Sequence, residues 1–424
     1  MRIVIIGGGF AGINVAQELA GDKRFKITLV DKNNYNFFPP LIYQVATAYL
    51  EPSSISYPFR KLFRRKKNIQ FRLGELLSVN VPENKAILNN GELEYDYLIF
   101  ATGAETNYFG MDNVKENAIP MKTLNDAIEM RNKLLQRMEK AAICKNSRER
   151  RKYLTIVVAG GGPTGVEVSG MFAEMRNGVL RKEYPELMTT VSNIYLVDGG
   201  SELLAPMSKK SQEDTYKALT DMGVIVKLNS RVVDYDGDVV HFHTGESIPT
   251  KNLIWAAGVS AKIFEGIPAE SYGRGRRMIV DEYSKLANTT NIFAIGDTCI
   301  QSGDKNFPDG HPQVAQVAIQ QGIRLADNFK RMEENKPLKP FAYKDKGSMA
   351  IIGKNKAVVD LPKPKLHFNG IIAWMMWLFI HLMSLISYRN RLTTFWNWMV
   401  AYFAKDQSLR MIIRPEKKKK HSTA

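Results

Sequence analysis

The sequence predicts an α/β chain made of two doubly wound βαβ units and closed by an amphipathic helical segment. Three observations predict it. Two glycine-rich loops each end an apolar, β-branched run. Each loop leads to a helical stretch and then to a second β-branched run that ends in aspartate. The end of the chain gathers tryptophan, methionine and basic residues.

The first unit opens with Ile3-Val4-Ile5-Ile6, which runs into Gly7-Gly8-Gly9-Phe10-Ala11-Gly12. In a G-x-G-x-x-G loop between strand and helix, the first glycine permits the tight turn and the second lets backbone approach a pyrophosphate. The third lets helix pack on strand, and the helix N-terminus offers amides and partial positive charge to the phosphates. A helical stretch from Ile13 to Ala20 follows, then Lys26-Ile27-Thr28-Leu29-Val30, ending in Asp31 and Lys32. An acid about 20 residues beyond the glycines is where a ribose hydroxyl is gripped. Gly7, Gly9, Gly12, Asp31 and Lys32 are therefore the candidate residues of a first, Rossmann-like nucleotide site.

The second unit repeats the pattern with Ile156-Val157-Val158-Ala159 and Gly160-Gly161-Gly162-Pro163-Thr164-Gly165. Its partner strand, Asn193-Ile194-Tyr195-Leu196-Val197, ends in Asp198. The gap exceeds the simple spacing, so a longer helix or an insertion must fill it. Asp198 repels a 2′-phosphate and no arginine directly follows it, which predicts NADH over NADPH. One fingerprint holds one dinucleotide; two in one chain imply that electrons pass between two of them.

Three further segments refine this. Tyr97-Leu98-Ile99-Phe100 runs into the small turn Ala101-Thr102-Gly103. Leu253-Ile254-Trp255-Ala256-Ala257-Gly258 repeats that shape, and Asn291-Ile292-Phe293-Ala294-Ile295 ends in Gly296-Asp297. With these segments the chain resembles the two-dinucleotide flavoproteins that include glutathione reductase. The resemblance implies FAD on the N-terminal fingerprint, with Ala101, Thr102 and Gly103 beside it and Asp297 near its ribityl chain. It implies NAD(P)H on the second, at Gly160, Gly162, Gly165, Asp198, Ala257 and Gly258.

Cysteine usage narrows the class. Cys144 and Cys299 are the two present, far apart and in no C-x-x-C arrangement. A disulfide reductase needs a redox-active pair, and a sulfide-oxidising relative needs cysteines near the flavin. Both residues are expected to be structural thiols of a reducing compartment, with electrons leaving the flavin for an external acceptor.

The acceptor is sought in the last third. A helix is predicted after Pro312, with Gln316 and Gln320 one turn apart on one face. By themselves they also fit a solvated glutamine face. The stretch Ala315-Gln316-Val317-Ala318-Ile319-Gln320 resembles the flavin- and quinone-contacting A-Q-x-A-x-Q motif of the type II NADH:quinone oxidoreductases, the non-proton-pumping NADH dehydrogenases. Asn36 to Ala46, Gly161 to Glu167 and Tyr343 to Gly353 are similar to the same family, and the likeness runs from the first strand to about Arg414. It implies that Ala315 and Gln316 touch FAD and that Gln316 and Gln320 face the quinone. It puts Glu167 close to the nicotinamide and Lys346 near the flavin and quinone. From the residues alone, Glu167 also fits a helix-dipole acid of the first turn and Lys346 a surface lysine. Two departures stand out: Pro39-Pro40 in the flavin loop, and Asp198 where glutamate is commoner.

Composition bounds the rest. The 424 residues suit two or three domains with ample core. With 59 Lys and Arg against 43 Asp and Glu, the net charge is +16, which fits nucleic acid or an anionic membrane surface. No nucleic-acid fold signature and no metal-ligand cluster is visible, so the membrane is preferred. Gly370 to Ser387 carries no formal charge, but it falls short of the about 20 residues that span a bilayer. Trp374, Trp377, His381, Ser384 and Tyr388 form one stripe, giving an interfacial or packed side. Both ends are basic, and a single span would export Lys417-Lys418-Lys419-Lys420. A second apolar face follows at Phe395, Trp398, Met399, Tyr402 and Phe403. Residues 370–420 are therefore expected to lie on an anionic lipid surface; a core helix or a homodimer face are the alternatives. The basic run Arg60, Lys61, Arg64, Arg65, Lys66, Lys67 fits a solvated face as well as membrane attraction.

No signal or transit segment is read before the first strand, which predicts a peripheral protein on the cytoplasmic face of a prokaryotic inner membrane. The expected division is an FAD-binding domain at 1–109 and 281–342, an NADH-binding domain at 110–280 and a membrane-associating region at 343–424. The expected activity is hydride transfer from NADH to FAD and two-electron reduction of a membrane quinone, without proton pumping. The rivals are a non-catalytic redox sensor and a soluble reductase serving an acidic protein such as ferredoxin.

Overall fold

The computed structural model describes residues 1–187, 190, 192–404 and 409–413. They form two compact units. The first comprises Met1–Phe37, Ser56–Asn107 and Val259–Lys346; the second comprises Phe38–Ile55, Tyr108–Gly258 and the chain from Gly347 onward. The helices that position functional residues are α1 (Phe10–Glu18), α2 (Ile42–Ala46), α3 (Leu124–Ile143), α4 (Pro163–Met175), α5 (Lys209–Asp221), α6 (Ala315–Glu333), α7 (Gly370–Ser384) and α8 (Tyr388–Ala404).

The first unit is a five-stranded parallel sheet in the order Ile292–Ala294, Tyr97–Phe100, Arg2–Ile6, Lys26–Asp31, Ile69–Leu73. A strand buried on both faces needs apolar residues at every position, which is why Ile3 to Ile6 shows no polar alternation. Ile3, Ile5, Ile27 and Leu29 pack with α1 and α6 on one face. Val4, Ile6, Val30 and Leu98 pack on the other, with an antiparallel meander of Leu76–Asn80, Lys85–Leu88 and Gly91–Glu94.

The second unit repeats this plan. Its parallel sheet runs Ile119–Pro120, Asn252–Trp255, Ile156–Ala159, Ile194–Val197, Val224–Lys227. A meander of Val232–Tyr235, Val239–Phe242 and Ser247–Pro249 again precedes the strand beside the glycine-loop strand. The long gap between Gly165 and Asp198 holds α4, a π-helical stretch Arg176–Leu180, a short helix Arg181–Glu183 and a 3-10 turn Pro185–Leu187.

The C-terminal region adds a three-stranded antiparallel sheet that the sequence reading did not resolve: Ser348–Gly353, Lys356–Pro362, Lys365–Asn369. It rests on α4, where a Cβ on Gly170 would lie 1.7 Å from the Ile352 carbonyl oxygen. α7 packs on the strand Lys356–Pro362, with Ala373 and Trp377 fully buried. Residues 38–55 join this unit because Leu41, Ile42, Tyr43 and Val45 are buried in it and α2 packs on α3 and α4. Relative to the expected division, residues 259–280 and 343–346 fall in the first unit, and residues 38–55 and the chain from 347 onward in the second. Among the described residues, no helix is long and apolar enough to cross a membrane. The four lysines 417–420 lie outside the described residues.

Candidate functional site

The two glycine loops close in the same way. Gly7 (φ +105°) and Gly160 (φ +116°) adopt a backbone that side chains rarely permit. A Cβ on Gly7 would sit 2.3 Å from the Ala101 oxygen, and one on Gly160 would sit 2.4 Å from the Ala256 oxygen. A Cβ on Gly12 would lie 1.9 Å from the Gly7 oxygen, and one on Gly165 would lie 1.8 Å from the Gly160 oxygen. The first and third glycines are thus demanded by the protein's own backbone. The middle ones are not: at Gly9 and Gly162 a Cβ would meet nothing within 4 Å. Each middle glycine is also the N-cap of its helix, with no side-chain cap and no acid in the first turn. Two bare helix N-termini with open space before them fit a pyrophosphate each.

Each loop is locked by the aspartate at the end of the next strand. Asp31 accepts the Gly8 N–H through Oδ2 and the Asn33 N–H through Oδ1, both at 2.7 Å. Burial raises its carboxyl above the usual range, and these hydrogen bonds offset part of the rise. Asp198 accepts the Gly161 and Gly200 N–H groups in the same manner. Lys32 stays exposed. Ala257 adjoins the second loop, its Cα 2.9 Å from a Cβ placed on Gly160, and Gly258 faces the Phe109 ring.

Ala101 and Thr102 lie against the first loop, with Gly103 next in the chain, and Thr102 Oγ1 donates to Thr298 Oγ1 at 3.1 Å. That bond ties them to the turn Gly296–Thr298, which carries Asp297. Gln313 donates to the Asp297 carbonyl at 2.9 Å. The turn is wedged between α1 and α6: a Cβ on Gly296 would lie 3.3 Å from Ala11 Cβ and 3.4 Å from Ala318 Cβ. The first unit thereby gathers Gly7, Gly9, Gly12, Asp31, Ala101 to Gly103, Asp297 and the start of α6, with Ala315 and Gln316.

Gln316 and Gln320 share a face of α6, and their amides engage backbone. Gln320 Nε2 donates to the Lys344 carbonyl at 2.9 Å while its Oε1 accepts the Lys344 N–H at 3.0 Å. Gln316 Oε1 accepts the Lys346 N–H at 3.1 Å. The pair pins a strap through Lys344 and Lys346, with the Lys346 side chain exposed.

Glu167 is the fifth residue of α4, one position past the first turn, and is only 9% exposed. It is not a dipole partner at the helix end. Burial holds its carboxyl well above the ordinary range, against a smaller opposing effect of the Ile351 backbone. Around it the second unit collects residues that the sequence did not place at a site. Tyr43 is 1% exposed, and burial, then the Glu167 charge, pushes its phenol upward. Gln44 donates to Tyr43 Oη, and Trp398 Nε1 donates to Gln44 Oε1. Glu174, two turns along α4, accepts from Tyr49 and from the Lys354 backbone, and burial raises its carboxyl. Tyr43 and Gln44 lie in the family-like stretch Asn36 to Ala46 and Trp398 on the second apolar face, while Glu174 carried no signal in the sequence.

Of the stripe predicted on the tail, Trp374, Trp377 and His381 face inward, whereas Ser384 and Tyr388 are exposed. The Trp377 ring stacks on His381 at 3.8 Å and lies near Tyr43 and Trp398, and Trp374 lies against Tyr402. The exposed side is Ile371, Ile372, Met375, Phe379 and Met383, continued on α8 by Phe395, Trp396 and Phe403. Cys144 and Cys299 are both free, and burial pushes Cys299 up to about 12. Among the described residues no group of His, Cys, Asp and Glu can hold a metal ion.

Comparison with known proteins agrees with this geometry. Residues 1–322 match the pyridine nucleotide-disulphide oxidoreductase family, and residues 346–405 match the NDH2 C-terminal domain. The chain is 36% identical to the type II NADH:quinone oxidoreductase NdhA of Mycobacterium tuberculosis, over 95% of this chain and 87% of that one. It is 28% identical to the type II NADH:quinone oxidoreductase of Haemophilus influenzae, over 85% and 87%. In fold it matches NDH2 of Plasmodium falciparum, solved in complex with NADH, with a TM-score of 0.87 at 24% identity over 97% and 99% of the two chains.

Proposed function

The chain belongs to the type II NADH:quinone oxidoreductases, and from that premise we propose which of its residues carry the reaction. The enzyme oxidises NADH and reduces a quinone. FAD, when bound, supplies the chemistry that links them, taking hydride from NADH and passing two electrons on. The observation that carries the assignment is the pair of glycine loops with matching closure and an open middle glycine.

The first loop holds FAD: the bare N-terminus of α1 takes the pyrophosphate at Gly9, Gly7 and Gly12 fix the turn, and Asp31 with Lys32 takes the ribose end. Ala101, Thr102, Gly103 and Asp297 line the flavin side, and Ala315 and Gln316 meet it from α6. The second loop holds NADH at Gly160, Gly162 and Gly165, with Asp198 excluding a 2′-phosphate and Ala257 and Gly258 flooring the site. Glu167, whose carboxyl burial holds well above the ordinary range, handles the nicotinamide end. Gln316 and Gln320 fix the strap that presents Lys346 to the quinone.

The reaction calls for a membrane, since quinones are lipid-soluble. We place the exposed apolar faces of α7 and α8 in the interfacial layer of a prokaryotic cytoplasmic membrane, without a span and without proton pumping. Arg389 and Arg391 follow α7 in sequence, and anionic headgroups suit them.

Stopped-flow spectroscopy of the flavin band tests the reading. NADH should bleach the band in preference to NADPH, and a short-chain quinone should restore it rapidly. Bleaching without restoration would move the acceptor to a protein. Absence of bound flavin would overturn the assignment of the first loop.

A further inference from the structure

The basic run at residues 60–67 has no part in the chemistry above, and the fold sets it beside a second basic turn. Arg60 and Lys61 are engaged, lying over the rings of Phe71 and Tyr57 at 5.5 and 5.3 Å. Arg64, Arg65, Lys66 and Lys67 are exposed in the turn that follows, and among the described residues no carboxylate pairs with them. Asn68 ties that turn to the one after α1. Its Oδ1 accepts the Gly21 N–H at 2.7 Å, and its Nδ2 reaches the Leu19, Asp22 and Phe25 carbonyls at 2.9, 3.1 and 3.2 Å. Lys23 and Lys26 are exposed there, again with no carboxylate partner among the described residues. Asp22, the acid of this second turn, is held by Arg24 at 2.6 Å.

Lys23, Lys26 and Arg64 to Lys67 therefore share one end of the first unit, and it is not the end that meets a dinucleotide. The register pairs Arg2 with Lys26 and Ile27 with Ile69, so both basic turns lie where the parallel strands begin. The glycine loop lies where they finish, after Ile6. Five residues of strand separate the two ends, about 16 Å. Exposed charges are largely screened at that distance, since the Debye length at physiological salt is about 8 Å. The cluster does not serve the FAD phosphates. Adjacent like charges repel, and a polyanion relieves that repulsion.

The apolar residues of the two turns, Leu19, Phe25, Phe63 and Ile69, are buried. A protein partner needs an apolar or aromatic anchor at the centre of its contact. A single-stranded nucleic acid needs exposed rings to stack on. Long, flexible cations without such anchors match a fluid layer of phosphate headgroups, which rearranges to meet each charge. We propose that Lys23, Lys26 and Arg64 to Lys67 form an attachment surface for anionic lipid, separate from the apolar faces of α7 and α8 and acting through charge alone. This rests on the reading of the enzyme as one that works at a membrane.

The test is co-sedimentation of the full-length, FAD-loaded enzyme with two kinds of vesicle, phosphatidylcholine alone and phosphatidylcholine mixed with phosphatidylglycerol. The unchanged enzyme should prefer the anionic vesicles, and molar salt, with a Debye length of about 3 Å, should remove the preference. The combined change Arg64→Gln, Arg65→Gln, Lys66→Gln, Lys67→Gln should lower partitioning onto anionic vesicles by at least about tenfold. Melting, turnover with a short-chain quinone and partitioning onto neutral vesicles should stay as they were. Lys23→Gln with Lys26→Gln should act in the same direction by less. Removing the same charge at scattered exposed lysines, with Lys115→Gln, Lys210→Gln, Lys217→Gln and Lys305→Gln, should change partitioning by less than about twofold. Undiminished anionic partitioning in the folded quadruple variant overturns the proposal, as does an equal loss on neutral vesicles. If that variant does not fold, undiminished partitioning in Lys23→Gln with Lys26→Gln overturns it. Tighter binding of the unchanged enzyme to duplex DNA than to anionic vesicles, lost in the quadruple variant, gives the surface to nucleic acid instead. Failure of the unchanged enzyme to sediment with either vesicle removes the membrane reading itself, and this surface with it.

Discussion

A single methyl group distinguishes the glycines that the fold needs from those it would tolerate as alanine. Gly12→Ala would press a Cβ to 1.9 Å from the Gly7 oxygen, so it should cost folding as well as flavin. Gly9→Ala meets nothing in the protein. It should fold with an unchanged melting temperature in the cofactor-free form and lose most bound FAD, read from the flavin-to-protein absorbance ratio. Gly162→Ala should likewise fold, retain FAD and raise the KM for NADH at least tenfold. At Asp198 both carboxylate oxygens are spent on the loop. Asp198→Asn keeps one acceptor and drops the charge, so discrimination against NADPH should fall about tenfold in kcat/KM. Gln320→Ala frees the Lys344 backbone at both its N–H and its carbonyl. Reoxidation by quinone should slow while bleaching by NADH is unchanged; equal slowing of both would remove Gln320 from the quinone side.

At the scale of elements, the tail helices have a buried and an exposed face, and each has its own test. Cutting the chain after Asn369 removes Trp377 and Trp398 from a packed cluster and frees Ser54 from Thr394, so loss of activity there would not report on membranes. Substitution on the exposed side does. The triple change Ile372→Ser, Met375→Ser, Phe379→Ser should leave melting unchanged and reduce partitioning onto lipid vesicles by more than tenfold, measured by co-sedimentation. His381 tests the buried face. Burial on α7 pushes its imidazole down from 6.5 to about 4. The native form is therefore neutral, and the stability it allows is full above pH 6.5 and lost as pH falls toward 4. The loss amounts to about 3 kcal/mol at most. The melting temperature should drop between pH 7 and pH 5, and His381→Phe should flatten that drop.

For the whole molecule, what could be read in advance was what is local. Both loops, their closing aspartates and the strands around them follow from continuous segments, and the predicted α/β class stands. Placing Phe38–Ile55 in the second unit did not follow, because its apolar run fits any core and only contacts with α3 and α4 select one. Gln316 and Gln320 were legible as a helix face, but not as anchors of a strap, since their partners lie 24 to 30 residues along the chain. Glu167 looked like an end-of-helix acid because burial is decided by the C-terminal sheet, whose Ile351 backbone reaches it. The aromatic stripe held only from Trp374 to His381, since the chain leaves α7 after Ser384, and it did not tell inside from outside: tryptophan and phenylalanine serve either side of an interfacial helix, and Trp377 is buried while Phe379 is exposed.

Gly170 lies directly against the Ile352 carbonyl. The helix that begins at the second loop lies backbone to backbone on the sheet that supports α7, so any coupling between the two ends of this unit has a direct path. If lipid attachment alters the affinity for NADH by some factor, bound NADH must alter the affinity for lipid by that same factor. The cell's NADH level would then set how much of this enzyme sits on its membrane as well as how fast it turns over.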